Sequence, residues 1–545
     1  MRELFAAHGE AERRKMRVDD VLAEVDRRRD AARRAHALER ECYAERITRR
    51  AFVKRSALAG VGLSAAAAWR PALGSAATGP RIVVVGAGLA GLRVAHKLAN
   101  LAKPIACTVY EADTTHIGGR CWSLRGYFDN GLVAEHGGEF INHDQQAIRG
   151  LASSLHLELE VVNGGDLPKL EEIYWFDGKP YTYAEANDDW GAIGFPAFHA
   201  ALKSAPFPQL YNAFTAAGKQ LDNTTVPEWL DQVGIGASSR FGRLMLANVV
   251  SEYGGDPDDQ PALNLIYLTG FNPRSSLDPL PGYDEKYRVV SGNDQLITAM
   301  LGQLPGGTVK QGYELVALKA NGDATYALTF QHGSKTVQVG ADHVVLALPF
   351  TALRRVDLSK SALSPLKRQA IDHLGMGQNA KIHVQVQRKT WPPLGYAGAT
   401  YTDWFGFCVA WDDSVPLGPD GAPAILLGYP GGSTGQNVLT GAAHGPAPEQ
   451  DIRWFLDQIE PIFPGTTGAA SSGLAWEDHW SQDPWHLGAY SFWRVGQYTT
   501  FAGYEGVQEG NVHFAGEHTE PDDQGFLDGA VASGERVASE IVRQV

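Results

Sequence analysis

The sharpest change of hydrophobic period in the chain falls near residue 80. Ile82, Val83, Val84 and Val85 form an unbroken β-branched run, which predicts a strand buried on both faces. The run stops at Gly86-Ala87-Gly88, and apolar residues return at Leu92, Ala95 and Leu98 with helical spacing. A second short strand, Cys107-Thr108-Val109-Tyr110, ends in Glu111. Strand, glycine turn, helix, strand and terminal acid together predict a dinucleotide-binding unit. In such a unit Gly86 makes the turn, Gly88 leaves room for a pyrophosphate, and Gly91 lets the helix lie close to the strand. The backbone N–H groups at the helix start, around Leu89 and Ala90, favour the phosphates, and Glu111 takes the ribose hydroxyls.

Elsewhere the pattern is coarser. Residues 150 to 285 lack glycine-rich phosphate turns and carry helical spacing, as from Phe241 to Val250. Leu315-Val316-Ala317-Leu318 reads as a strand, a hairpin follows, and Ala341 to Leu348 reads as a buried strand stopped by Pro349. Residues 350 to 500 are rich in tryptophan, most of it expected in the core or between domains. The apolar run from Ala57 to Trp69 is short for a bilayer span, and no other run approaches membrane length.

Composition changes this picture in two places. The net charge of −14 conceals a basic start: residues 1 to 55 hold 16 Lys and Arg against 11 Asp and Glu. The acidic remainder argues against nucleic acid as a partner and suits a cationic ligand. Residues 1–47 read as a charged extension, either a solvated helix or disorder. Thr48-Arg49-Arg50-Ala51-Phe52-Val53-Lys54, the apolar run after it and the small residues Gly74 to Ala77 resemble a twin-arginine export signal over 48–77, so a periplasmic or secreted location is expected. The cysteines Cys42, Cys107, Cys121 and Cys408 show no metal spacing, and neither a metal site nor a disulfide framework is expected.

Beyond Glu111 come Ile117-Gly118-Gly119-Arg120 and then Glu135-His136-Gly137-Gly138-Glu139. Tyr287 to Leu296, with Ser291-Gly292-Asn293-Asp294, and the terminal Ala515-Gly516-Glu517-His518-Thr519 and Gly525-Phe526-Leu527-Asp528-Gly529 complete an order that resembles the flavin-containing amine oxidase family, across roughly 81–540. That family includes monoamine, polyamine and L-amino acid oxidases. The resemblance implies an α/β fold: a Rossmann-like FAD-binding domain from segments 80–150, 285–350 and 505–545, and a mixed-sheet and helical substrate-binding domain from 151–284 and 351–504. It also implies noncovalent FAD, because Ala489 stands where some relatives carry a cysteine that bonds the flavin.

By the same resemblance Gly119 and Arg120 lie at the pyrophosphate, with Arg120 reaching it. Gly137 and Gly138 let backbone approach the isoalloxazine, and Val316 packs on the adenine. Gly516 and Glu517 serve the ribityl and pyrophosphate region, and the backbone at Leu527 faces the flavin edge. Lys381 is expected near the flavin N5 through a water, and Tyr490 and Phe526 are expected to sandwich an amine. Glu139 is read either as a contact for a second cationic group or as a structural carboxylate, and His518 as a local hydrogen-bonding residue. The implied reaction takes an amine to an imine, then an aldehyde or ketone, with O2 reduced to H2O2. The alternative is an L-amino acid oxidase with Arg240, Arg243 or Arg494 holding the carboxylate; a desaturase or a non-catalytic flavin-fold protein fits less well. The oligomeric state stays open, a homodimer included.

Overall fold

The computed structural model describes residues 79–162, 170–272, 274–277, 284–414 and 421–545. The charged extension and the twin-arginine segment lie outside the described residues. Gly79–Phe271 and Ser275–Val545 cluster as one compact unit.

The β-branched run becomes the strand Ile82–Val85, which lies at the centre of a five-stranded sheet. Its neighbours are Cys107–Glu111 on one side and His343–Leu346 on the other, and Val309–Gln311 and Val512–Phe514 form the edges. All four pairings are parallel, with Ile82 opposite both Cys107 and His343. Every residue of the central strand is buried, and each such side chain contributes roughly 1.5–3 kcal/mol by leaving water. Gly86 takes φ +100°, and a Cβ there would stand 2.5 Å from the Ala347 carbonyl oxygen. The helix Leu89–Ala99 then packs back on the sheet, where a Cβ on Gly91 would strike the Gly86 carbonyl. The last helix, Leu527–Val542, crosses this first helix so closely that a Cβ on Gly534 would lie 2.7 Å from the Ala90 carbonyl oxygen.

A second, eight-stranded mixed sheet runs in the order His444–Pro446, Ala470–His479, Ala380–Val386, Ala424–Gly428, Val409–Asp412, Tyr396–Thr402, Glu171–Phe176 and Lys179–Thr182. Its strands all come from 151–284 and 351–504, whereas the parallel sheet draws only on 80–150, 285–350 and 505–545. Helices from 183–269 pack beside it. One of them, Arg240–Tyr253, is capped by the Ser239 hydroxyl, which accepts from the Gly242 N–H, and is closed by Gly254 at φ +66°. A separate four-stranded sheet runs Lys335–Ala341, Tyr326–His332, Glu314–Ala320 and Asp357–Lys360. No helix among the described residues is long and apolar enough to cross a membrane.

Candidate active site

A cavity of about 1530 Å³ runs from the glycine turn to the mixed sheet. Ordinary small-ligand clefts measure about 300–1,000 Å³, so this one has room for a dinucleotide and a substrate end to end. At one end Gly86, Gly88, Leu89, Ala90 and Glu111 line it. A Cβ on Gly88 would clash with no protein atom, its nearest neighbour the Gly118 carbonyl oxygen at a contact distance of 3.8 Å. Glu111 closes the second strand and accepts from the N–H groups of Ala87 at 2.6 Å and Asp113 at 2.9 Å. Burial raises its carboxyl above the usual range, and those two bonds oppose the rise. Gly91, by contrast, serves helix packing and does not face the cavity.

Arg120 and Glu517 line the middle of the cavity, but they face each other. The Arg120 guanidinium donates to Glu517 at 2.9 Å and to the Ala489 carbonyl at 2.7 Å. Glu517 also accepts from the Ser491 N–H and hydroxyl and from the Gly525 N–H. Burial would raise its carboxyl, yet Arg120, His518 and these bonds hold it below the usual range. Glu517 therefore braces the loops that bear Tyr490 and Phe526 rather than presenting free acceptors to a ligand. Beside it, a Cβ on Gly516 would fall against the His518 ring.

His518 differs from its sequence reading. Both ring nitrogens are buried without a hydrogen-bond partner among the described residues, and burial pulls the imidazole down to about 4, so the ring is neutral. An orphaned polar ring on the wall of a cavity is satisfied by a ligand's polar edge, as a flavin cofactor would supply. Val316 also departs from expectation: Tyr313, Glu314 and Leu315 face the cavity, and Val316 does not. The strand shifts register between Leu315 and Ala317.

Lys381, Tyr490 and Phe526 all line the cavity. Lys381 lies in the fully buried strand Ala380–Val386. Its ammonium donates to the carbonyls of Glu135 at 2.8 Å and Gly137 at 3.0 Å and to the Glu139 carboxylate at 2.8 Å. Burial lowers its pKa to about 8. All three of its donors thus hold the strap Glu135–Glu139. Gly137 and Gly138 are required there chiefly by protein: a Cβ on the first would strike the Arg120 carbonyl, and one on the second would lie 2.6 Å from the Leu527 side chain.

Glu139 is structural. It pairs with Lys381 and Arg288 and accepts from the Trp411 indole at 2.7 Å, and Arg288 binds Asp413 at 2.7 Å. Sequence reasoning missed Arg288, Trp411 and Asp413, although Arg288 lies inside the quoted Tyr287–Leu296 segment. It also missed Tyr429. The Tyr429 hydroxyl donates to that of Tyr490 at 3.2 Å, and Tyr490 donates to the Ser251 carbonyl at 2.5 Å, so two phenols cover this end. Tyr429 directly follows an apolar strand, Ala424–Gly428, which was the available signal.

Beyond the phenols Glu172, Glu252 and Glu285 line the same cavity. Burial, then repulsion from Glu252 and Glu172, pushes Glu285 up to about 8. Arg240, Arg243 and Arg494 are not on the cavity wall. Arg240 pairs with Glu185, and Arg243 with Asp177 and Asp403.

Comparison with known proteins places these features in context. Residues 89–542 match the family described as flavin containing amine oxidoreductase. Amine oxidase [flavin-containing] B of Sus scrofa is 24% identical over 483 residues, covering 85% of this chain and 86% of that protein. An L-amino acid dehydrogenase of Synechocystis is 22% identical over 480 residues, covering 84% and 94%. The structure of cyclohexylamine oxidase from Brevibacterium oxydans superposes with a TM-score of 0.70 at 20% identity, over 85% of this chain and 99% of that one.

Proposed function

The chain belongs to the flavin-containing amine oxidoreductase family, and on that premise we propose that it is an FAD-dependent oxidase of amines that carry no carboxylate. The observation that carries this reading is the single cavity joining the glycine turn to Lys381, Tyr490 and Phe526. When bound, FAD supplies the hydride acceptor and passes the electrons to O2, giving H2O2.

The chain's own residues position and exclude. Gly86, Gly88, Leu89, Ala90 and Glu111 would hold the adenosine and pyrophosphate, with Gly119 and Arg120 beside them. Leu527, at the start of the last helix, would bring backbone N–H groups to the flavin edge. The rings of Tyr490 and Phe526 would turn π faces to the amine nitrogen and fix the carbon next to it toward the acceptor. Lys381 would hold the strap that floors the site. The imine released would hydrolyse in water to the carbonyl product.

Amines are favoured over amino acids by two features. Arg120 and Arg288 are engaged by Glu517, Glu139 and Asp413, and Glu172, Glu252 and Glu285 line the same cavity as carboxyl groups, which offer an amino acid's carboxylate no cation. The flavin is proposed to be noncovalent, since Ala489 offers no thiol. Export through a twin-arginine route is proposed from the Thr48–Lys54 order.

The test is direct. Purified protein incubated with FAD is screened for bound flavin and for peroxide against monoamines, diamines and L-amino acids. Peroxide with amines and not with amino acids is expected; peroxide with amino acids alone overturns the amine reading, and failure to retain FAD overturns the whole. Denaturation with trichloroacetic acid releases the flavin if it is noncovalent, and a yellow pellet refutes that.

A further inference from the structure

Behind the Glu135–Glu139 strap, three segments of chain meet at alternating imidazoles and carboxylates. His136 Nδ1 and His444 Nδ1 each lie 2.7 Å from Asp478 Oδ1. His444 Nε2 lies 3.1 Å from Asp483 Oδ2, and Asp483 Oδ1 lies 2.7 Å from His486 Nδ1. An ionised carboxylate can only accept hydrogen bonds, and a neutral imidazole can donate from only one nitrogen. His444 meets a carboxylate oxygen at both nitrogens, so both must carry protons. No choice of tautomer avoids this. His136 and His486 each meet a carboxylate only at Nδ1.

The surroundings agree. Asp478 is fully buried and Asp483 nearly so. Other donors reinforce both anions: the Trp476 indole reaches Asp478 at 3.3 Å, and the Trp485 N–H reaches Asp483 at 2.8 Å. The Trp122 and Trp480 rings stand 5.0 and 4.8 Å from the His444 ring and shield it from water. The charged or titratable groups facing His444 are Asp478, Asp483, His136 and His486, and Lys381, in register with Asp478 on the adjoining strand, adds positive charge. Burial opposes the His444 cation, but the two carboxylates outweigh it and raise the imidazole to about 9.

The cluster bears on the strap at one point. Lys381 holds the carbonyls of Glu135 and Gly137, on either side of His136. The His136 ring is held by Asp478, and its carbonyl accepts from the Trp480 indole at 2.8 Å. At the other end of the cluster, His486 lines the cavity beside Gly119.

We propose that His444 is a positioning residue: a fixed imidazolium that, through Asp478 and Asp483, locks the His136 strap and the His486 ring against the cofactor cavity. What the strap faces rests on the flavin reading above; the imidazolium itself does not.

Two measurements separate these. In 15N-histidine-labelled wild-type protein, NMR across about pH 7 to 10 should show one ring with both nitrogens protonated at neutral pH, losing a proton near pH 9. FAD affinity, followed by flavin fluorescence, should fall about tenfold or more over the same range in wild type. In His444→Gln it should be weak at all pH values with no alkaline step, and in His444→Arg, which keeps a fixed charge and several donors, it should be restored without the step. Absence of any imidazolium near pH 7.5 overturns the proposal. So does an alkaline step in His444→Gln equal to that of wild type, or one equivalent of a transition metal in the purified protein, which would make His136, His444 and Asp478 ligands. Failure of wild type to bind FAD while the imidazolium is present would refute the flavin reading and the positioning role, and leave the ion standing.

Discussion

Lys381→Met removes the ammonium and keeps most of the side chain's volume. The residue is 4% exposed and donates three hydrogen bonds of 2.8, 3.0 and 2.8 Å. The substitution leaves two strap carbonyls and one Glu139 oxygen without that donor. Breaking one side of a buried ion pair costs about 3–5 kcal/mol. Arg288 and Trp411 still engage the other Glu139 oxygen, which places the expected loss near 3 kcal/mol, the low end of that range. If strap order transmits half of this to cofactor binding, FAD affinity falls about tenfold. Denaturant melts of the flavin-free and flavin-bound protein, together with flavin fluorescence titration, measure both quantities. Lys381→Met combined with Glu139→Gln should recover about 1–2 kcal/mol, because the uncompensated anion goes too. A Lys381→Met protein that melts within 0.5 kcal/mol of wild type and binds FAD equally well would refute the assignment of structural work to this ammonium.

Three further outcomes follow from the geometry. Gly88→Ala should fold normally and lose flavin, since its Cβ clashes with no protein atom and Gly88 lines the cavity, whereas Gly91→Ala should lower the melting midpoint itself, since its Cβ meets the Gly86 carbonyl; melts and flavin content distinguish the two. Tyr490→Phe should keep its flavin and lose roughly 1 kcal/mol, about fivefold, in kcat/KM, because the Ser251 and Tyr429 bonds vanish while the ring stays. His444 should contribute about 3 kcal/mol to stability: its folded pKa is raised from 6.5 to about 9, so the contribution is complete below pH 6.5 and is lost as pH climbs through 9. Unfolding free energies of wild type minus His444→Gln across that range should trace the loss, and a flat difference would contradict it.

What could be read from the chain alone was local. The glycine turn, its two strands and its helix follow from residues within about thirty positions of one another, and each glycine's job is a matter of immediate neighbours. The helix at Phe241–Val250 was equally plain, and only its ends, set by Ser239 and Gly254, extended it. Leu315 rather than Val316 lines the cavity, and the register shift beside it is a bulge that a period-two pattern does not reveal. The strap network escaped because its members lie far apart: Lys381 and Glu139 are separated by 242 residues, and Arg288 and Asp413 come from two further segments. Lys381 itself was placed by family resemblance, since nothing about a lysine in an apolar run says what its ammonium meets. His444 and Asp483 gave no signal at all; neither forms a recognisable spacing with His136, and it is the pairing of two strands of the mixed sheet that sets His444 opposite Asp478.

The parallel sheet holds Ile82–Val85 at its centre and takes an edge strand from Val512–Phe514, and the helix from Leu527 onward seals the first helix. The nucleotide cradle therefore begins near the start of the described chain and is finished by its last few dozen residues. A ribosome halfway through this message holds a protein with a complete glycine turn and nowhere to keep a cofactor. Retention of the cofactor should therefore depend on the final helix, and a chain cut before Leu527 should lose the cradle along with its tail.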